Sequence, residues 1–428
     1  MDSSFEPLPW SADSNIYEVN LRQYTTEGTF RAFEAHLPRL RDMGVEVLWF
    51  MPVTPISLKG RLGSLGSYYA CADYLTTNPE FGSLEDFKQL VQTAHHFGFK
   101  VLIDWVANHT GWDHRWTTEH PEFYRRNSDG NFFDAHGWHD VIDLNYDVPE
   151  LRKTMIRCMK FWVDECAIDG FRCDMAMLVP LDFWKEARTM IDRTRPLLWL
   201  AECEDISFHA VFDISYTWKF LHSMEDFRKN PVSLQGLYDV LQYYNDQFPP
   251  QAMRAYFTSN HDENSHSGSE YERLGEAALP FAVFCCTWNG VPLVYSGQEL
   301  PNRKRLKFFE KDQIDWEMPC ALHDFYKSLL TLRKRNPALR SGDPSVITIK
   351  LPNNASQPVM TFLRRRASNE VLVILNLSAN TVSLILSTEE VKGSFSNIFS
   401  AEKQNINSAT VFDLKPWEYR VYEKVDSI

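Results

Sequence analysis

The sequence predicts an α/β fold: a (β/α)8 barrel with a subdomain inserted after the third strand and an antiparallel β-sandwich domain at the C-terminus. Three observations carry this. Short, almost unbroken apolar runs alternate with amphipathic helical stretches, and such runs mark strands buried on both faces, as in parallel sheets. Several of these runs close on a charged residue, namely Asp104, Asp174, Glu202 and Asp262. After Pro337 the helical periodicity gives way to short β-rich runs joined by polar turns.

Length and composition set the frame. A chain of 428 residues suits two or three domains at about 150 residues each, or one large barrel with a satellite. Hydrophobic content of 44% and charged content of 24% are ordinary for a globular protein. The formal net charge of -13 opposes docking to nucleic acid or anionic membrane, so a neutral partner is expected. Aromatic residues reach 14%; most are core, but flat rings with polar edges also suit sugars.

The first strand is read over Ile16 to Tyr24, followed by a helix from Phe30 to Met43 stopped by Gly44. Val45 to Val53 is the second strand, and a loop rich in Gly, Ser and Tyr spans Gly60 to Tyr74. Ser83-Leu84-Glu85-Asp86 resembles a capping box for a helix running to Gly98, and Lys100 to Val106 is the third strand. From Asn108 to Asn145 the alternation stops for longer than an ordinary connection lasts, which marks the inserted subdomain. A helix from Pro149 to Cys166, the strand holding Arg172 and Asp174, a helix near Phe183 to Arg193 and the strand Leu197 to Ala201 follow. The sixth unit, between Phe208 and Phe248, is weak. Arg254 to Ser259 reads as a strand, Tyr271 to Trp288 as a helix and Val291 to Tyr295 as the eighth strand. After a helix over Leu322 to Arg335, the runs Ser345 to Leu351, Pro358 to Arg366, Glu370 to Leu377, Thr381 to Leu386 and Tyr419 to Glu423 read as antiparallel strands. The expected domains are therefore 1–107 with 146–340 (barrel), 108–145 (insert) and 341–428 (β-sandwich, roughly 90 residues).

Side chains two apart on a strand point the same way, so Arg172 and Asp174 sit side by side. A cation that close holds a carboxylate ionised, as a nucleophile needs. An isolated Arg-x-Asp is more often a structural ion pair. Catalytic residues of such barrels project from the carboxyl ends of strands, and several carboxylates at one rim are what acid-catalysed glycoside cleavage requires.

The ordered motifs Asp104-Trp105-Val106-Ala107-Asn108-His109, Gly170-Phe171-Arg172-Cys173-Asp174, Glu202 after Leu198-Trp199-Leu200-Ala201, and Phe257-Thr258-Ser259-Asn260-His261-Asp262 resemble the α-amylase family of glycoside hydrolases, glycoside hydrolase family 13. Asp143-Leu144-Asn145 and Gly290 to Glu299 match its accessory motifs. The resemblance implies Asp174 as nucleophile, Glu202 as general acid/base and Asp262 as the carboxylate that stabilises the oxocarbenium-like state. It also implies that Arg172 orients Asp174, that His109 and His261 bind sugar hydroxyls, that Tyr69 stacks under the ring being cleaved and that Asp104 supports the site; Tyr68 is the alternative stacking ring. The implied activity is retaining hydrolysis of α-1,4 bonds in starch-like glucans or malto-oligosaccharides, with an α-glucosidase or transglycosylase on the same scaffold as the alternative. A non-catalytic binding relative is disfavoured, because the three carboxylates are kept.

No cofactor and no metal ligand are expected. Asn108 could bind calcium, as in many family members, or cap its loop. Calcium-binding members usually carry Lys-His three and four residues past the nucleophile, where this chain has Met177 and Leu178, and Asn20 to Phe30 lacks an Asp- and Gly-rich calcium loop. The partner is expected to be a glucan or malto-oligosaccharide, with no nucleic acid, no membrane and a monomeric state. The eight cysteines lack metal spacing and read as buried free thiols, and Met1 to Trp10 lacks the features of a signal peptide, so a cytoplasmic location is expected.

Overall fold

The structure, a computed structural model, describes residues 5–425, so the first four positions of the stretch read for a signal peptide lie outside the described residues. Eight parallel strands close into a barrel: β1 (Ile16–Val19), β2 (Val47–Phe50), β3 (Lys100–Trp105), β6 (Gly170–Cys173), β7 (Leu198–Ala201), β8 (Ile214–Tyr216), β9 (Met253–Tyr256) and β10 (Val291–Tyr295), in the order β1-β10-β9-β8-β7-β6-β3-β2. Between β3 and β6 a small antiparallel pair, β4 (His109–Gly111) and β5 (Val141–Asp143), lies within the insert. Apart from Lys100, every residue of the barrel strands is buried, which is why these strands read as apolar runs rather than alternations.

The register fixes which side chains meet. Asp104 of β3 stands opposite Arg172 of β6, and Cys173 opposite Ala201 of β7, so residues leaving these strands emerge level with one another. Gly170 permits the close approach of β6 to β7, since a Cβ there would run into the Leu198 carbonyl oxygen.

Several elements depart from the sequence expectation. The first strand ends at Val19, and Leu21–Tyr24 forms a single helical turn. The helix expected over Phe30 to Met43 is two, Phe30–Glu34 and Leu37–Asp42, with Pro38 in the first turn of the second, where its missing N–H costs nothing. The helix expected over Tyr271 to Trp288 is likewise split into Glu270–Leu274 and Ala278–Thr287. Gly275 between them adopts φ +58°, and any Cβ would press on the Arg228 guanidinium at 2.7 Å. The weak sixth unit is a strand of three residues followed by the helices Trp218–Lys229 and Gln235–Gln247. The capping box at Ser83 and Asp86 is formed as the sequence indicates.

The C-terminal strands are β11 (Ile347–Lys350), β12 (Val359–Arg366), β13 (Asn369–Asn376), β14 (Val382–Ile385), β15 (Gly393–Asn397), β16 (Lys403–Ile406), β17 (Val411–Leu414) and β18 (Tyr419–Lys424). They form an antiparallel sheet ordered β11-β12-β13-β18-β15-β16 and a separate pair, β14-β17. Leu363, Leu372, Ile374, Phe395 and Tyr422 of the larger sheet share a core with Leu384, Phe412 and Leu414 of the pair. β15, β16 and β17 escape the sequence reading because each buries only one or two apolar side chains among polar neighbours.

By contact density the chain divides into two compact units, one built from residues 5–8, 16–216 and 304–315, the other from 9–15, 217–303 and 316–425. All eight cysteines are buried and free. Among the described residues no helix is long and apolar enough to cross a membrane.

Candidate active site

In the first unit the carboxyl ends of β3, β6 and β7 converge on one cation. The Arg172 side chain is fully buried, and its Nη1 donates to Asp104 Oδ1 at 2.9 Å, Asp104 Oδ2 at 3.1 Å and Asp174 Oδ1 at 3.0 Å. Nη2 lies 2.8 Å from Glu202 Oε2, close enough for an ion pair though not aligned for a hydrogen bond. Burial alone would lower the arginine pKa, but the negative charges of Asp104 and Glu202 outweigh it and hold the guanidinium well above its ordinary value. The cation is thereby permanent, and Asp174 faces it as an acceptor through Oδ1.

The backbone finishes the arrangement. Met175 is forced into the left-handed region (φ 40°, ψ 47°) immediately after β6, a conformation uncommon for a residue with a side chain. That turn aims its N–H at Glu202 Oε2, 2.9 Å away. Asp174 N in turn donates to the Trp105 carbonyl at 3.1 Å, and Glu202 N to the Cys173 carbonyl at 3.0 Å, so both residues extend the sheet by one step before leaving it.

Tyr69 joins this cluster: its hydroxyl donates to Asp104 Oδ2 at 3.1 Å, and its ring lies 5.9 Å from the Arg172 guanidinium carbon. Tyr68 turns the other way, donating to Asn20 Oδ1 at 2.9 Å beneath the Arg22 guanidinium, which settles which of the adjacent tyrosines stands beside the carboxylates. His109 is buried on β4 against the ring of Trp138, with Asn108 Nδ2 3.3 Å from its Nδ1. Burial pushes its pKa down to about 4, only partly offset by Asp134, so the ring is neutral near pH 7.

His261 and Asp262 belong to the second unit, where the chain leaves the carboxyl end of β9. His261 Nε2 lies 3.2 Å from Asp262 Oδ2, and the Asp262 side chain is 40% exposed. The next residues, Glu263–Ser267, form a π-helical turn.

Three residues near the cluster were not singled out from sequence. Trp49 of β2 donates from Nε1 to Asp104 Oδ2 at 3.2 Å and lies under Arg172, 4.9 Å from ring centre to guanidinium carbon. The Tyr216 hydroxyl, at the end of β8, accepts from Arg172 Nε at 3.3 Å. Phe308 stacks on Tyr69 with ring centres 6.3 Å apart and planes 17° from parallel. The two strand aromatics carry a usable signal, because each lies at or near the carboxyl end of a barrel strand. Phe308 sits in an aperiodic loop and carries none.

Taken together the first-unit cluster offers two partly accessible carboxylates, Asp174 and Glu202, on one buried cation, beside a tyrosine face. Such a set can attack an electrophilic carbon and shuttle a proton on a neutral, ring-shaped substrate. The family model described as "Alpha amylase, catalytic domain" matches residues 11–140 and 124–317. Alpha-amylase MalA of Haloarcula japonica is 28% identical over 414 residues, 90% of this chain and 58% of that protein, so the chain spans less than two thirds of that relative's length. A cyclomaltodextrin glucanotransferase of Bacillus is 26% identical across 84% of this chain and 55% of that protein. Among solved structures, an alpha-amylase from Lactobacillus plantarum superposes with TM-score 0.87 at 28% identity, covering 97% of this chain and 100% of the other. A maltogenic alpha-amylase, AmyB, from Thermotoga neapolitana superposes with TM-score 0.89 at 29% identity, covering 97% and 99%.

Proposed function

The chain belongs to the α-amylase family, and from that premise we propose that it is a retaining glycoside hydrolase that cleaves α-1,4-glucosidic bonds of starch-like glucans or malto-oligosaccharides by double displacement. The observation that carries this reading is the grip of one buried guanidinium on Asp174 and Glu202, through Nη1 and Nη2 respectively. Two carboxyls on adjacent nitrogens of one cation suit the separation of about 5 to 5.5 Å used by retaining enzymes better than the roughly 6.5 to 9.5 Å of inverting ones.

In this mechanism the Asp174 carboxylate attacks the anomeric carbon while Glu202 donates its proton to the departing oxygen. The result is a β-linked glycosyl-enzyme. Glu202, now ionised, takes a proton from water, which displaces Asp174 and restores the α configuration. Asp262 stabilises the positive charge that builds on the ring in both transition states. Arg172 keeps Asp174 ionised, Tyr69 stacks under the reacting ring, Asp104 holds Arg172 and Tyr69, and His109 and His261 bind hydroxyls as hydrogen-bond partners. A neutral His109, as its lowered pKa implies, can accept or donate without repelling that charge.

A second reading, transfer of the glycosyl group to a sugar acceptor, is favoured by the similarity to a glucanotransferase. Maltoheptaose, isomaltose, sucrose and an aryl α-glucoside, with products separated by chain length, distinguish the two. Early-time proton NMR of maltoheptaose digestion, read before mutarotation, should show the α-anomer first. First appearance of the β-anomer would refute double displacement.

The reading further includes a monomeric state; a cytoplasmic location, supported by eight buried free thiols; and chemistry independent of metal, supported by Met177 and Leu178 at the positions where calcium-binding members carry Lys-His. Exhaustive chelation should leave the rate and melting temperature unchanged, and a drop restored by calcium would overturn it.

A further inference from the structure

The stretch that carries Asp262 is held at both ends by one side chain that none of the motifs includes. Arg273, on the helix Glu270–Leu274, has a side chain only 6% exposed. It donates from Nη2 to the Thr258 carbonyl at 2.6 Å and from Nε to the Gly268 carbonyl at 3.0 Å. Its Nη1 lies 2.7 Å from Glu225 Oε1 and 3.7 Å from Glu263 Oε2. Thr258 and Gly268 bracket residues 259–267, which include Asn260, His261, Asp262 and the π-helical turn.

The clamp has a second jaw on the Thr258 side chain. Thr258 Oγ1 donates to Glu270 Oε2 at 2.6 Å, and Gln298 Nε2 donates to the same carboxylate oxygen at 2.6 Å. The N-terminal end of the stretch is thus fixed through both carbonyl and hydroxyl, and the far end through Gly268. Isolated π turns are rare and recur at functional sites. Here the turn is closed by Gly268 N donating to the Glu263 carbonyl at 2.8 Å, so pinning Gly268 also fixes the turn that follows Asp262. Only a planar fork with several donors can reach two carbonyls so far apart in sequence and a carboxylate at once; an ammonium on a flexible stem cannot.

We propose that Arg273 is a positioning residue for Asp262, setting the carboxylate's place by bridging the backbone before and after it. The inference rests on Asp262 stabilising the charged transition state, and the test separates the two. Asp262→Asn, Arg273→Lys, Arg273→Met and the double variant Asp262→Asn/Arg273→Met are assayed on maltoheptaose, with melting temperatures recorded. Both Arg273 variants should lose about 10- to 100-fold in kcat, the scale of a slightly misplaced catalytic group, with KM within about twofold. In the Asp262→Asn background the Arg273 change should cost almost nothing further in kcat, because the group it positions is already gone. Equal losses in both backgrounds, or a fall in melting temperature with kcat retained, would make Arg273 a stabilising residue and overturn the inference. Wild-type kcat in Asp262→Asn would instead overturn the role of Asp262 itself. Arg273→Lys keeps charge and approximate volume, so it carries the test if Arg273→Met does not fold.

Discussion

The two carboxylate-bearing regions of this chain solve the same problem by opposite means. Around Arg172 the side chains of Asp104, Asp174 and Glu202 are 0%, 8% and 6% exposed, and a buried cation ties them together. The Asp262 side chain is 40% exposed, and the order around it comes from bonds to the backbone on either side. In the first region charge is kept by charge. In the second, the carboxylate stands partly in solvent and the backbone on either side of it is what the protein fixes. The two designs respond differently to substitution: removing the cation strands buried charge, whereas removing the carboxylate of Asp262 leaves a solvated gap.

The largest effect should come from the first region's reacting groups. Asp174→Asn and Glu202→Gln preserve volume while removing the proposed nucleophile and the proposed general acid, and kcat should fall on the order of 10^4 to 10^6. Melting temperatures should stay close to wild type, since the amide oxygen introduced by Asp174→Asn still accepts from Arg172. Near-normal kcat in either variant would break the assignment of roles. Arg172→Met tests the cation instead. Three carboxylates left in low dielectric without their partner should cost about 3 to 5 kcal/mol in urea unfolding, in addition to activity. A stability change near zero would show that water, not Arg172, compensates these charges, and the contrast between the regions would collapse.

Asp262→Asn should be milder. Loss of one preorganised electrostatic stabiliser typically costs about 10² to 10³ in kcat, and a side chain this exposed should leave the urea midpoint unchanged. Strong destabilisation would mean that Asp262 is as deeply tied into the fold as Asp174 is.

The contrast also explains what the sequence disclosed. The Arg172 region was legible because parallel-sheet register places Asp104, Arg172 and the residues closing β6 and β7 level with one another, and each ends an apolar run that stands out. Trp49 and Tyr216 touch the same charges and were missed although their place at or near a strand's carboxyl end was readable, because an aromatic there reads as core. Arg273 lies well past Asp262 on a short helix, and a side chain bonding to carbonyls leaves no pattern in sequence. The split at His36 went unread because Phe30, Phe33, Leu37 and Leu40 keep helical spacing across it, and the split at Gly275 because the second piece is buried nearly all round and its apolar run masks the restart. β15, β16 and β17 were hidden because each buries only one or two apolar side chains, whereas β18, the final strand, was read.

The smallest effect expected, and the one that extends the contrast to imidazoles, concerns His109. His261 has Asp262 beside it, at 3.2 Å. His109 is buried beside Trp138, and burial holds its pKa at about 4 against the ordinary 6.5. Between those values the unfolded chain binds a proton there and the folded protein does not, so stability contributed at this position rises with pH from about 4 to 6.5 and is constant above. At pH 7 the histidine carries no penalty. On acidification below 4 it should cost about 3 kcal/mol, the free-energy equivalent of the shift. His109→Asn removes the titrating group, so its unfolding free energy should fall less steeply with acid than that of the wild type, the two curves running parallel above pH 6.5 and converging or crossing toward pH 4. His114 is also buried, with its pKa lowered to about 3, and it contributes to both curves equally, so the difference between them isolates His109. Urea unfolding of both proteins at half-unit steps from about pH 4 to 7.5 provides the measurement. If the two curves stay parallel across the whole range, His109 is hydrated or paired in the folded state. It would then be charged under the same conditions as a surface histidine, and its place as a neutral hydrogen-bond partner for substrate would have to be abandoned.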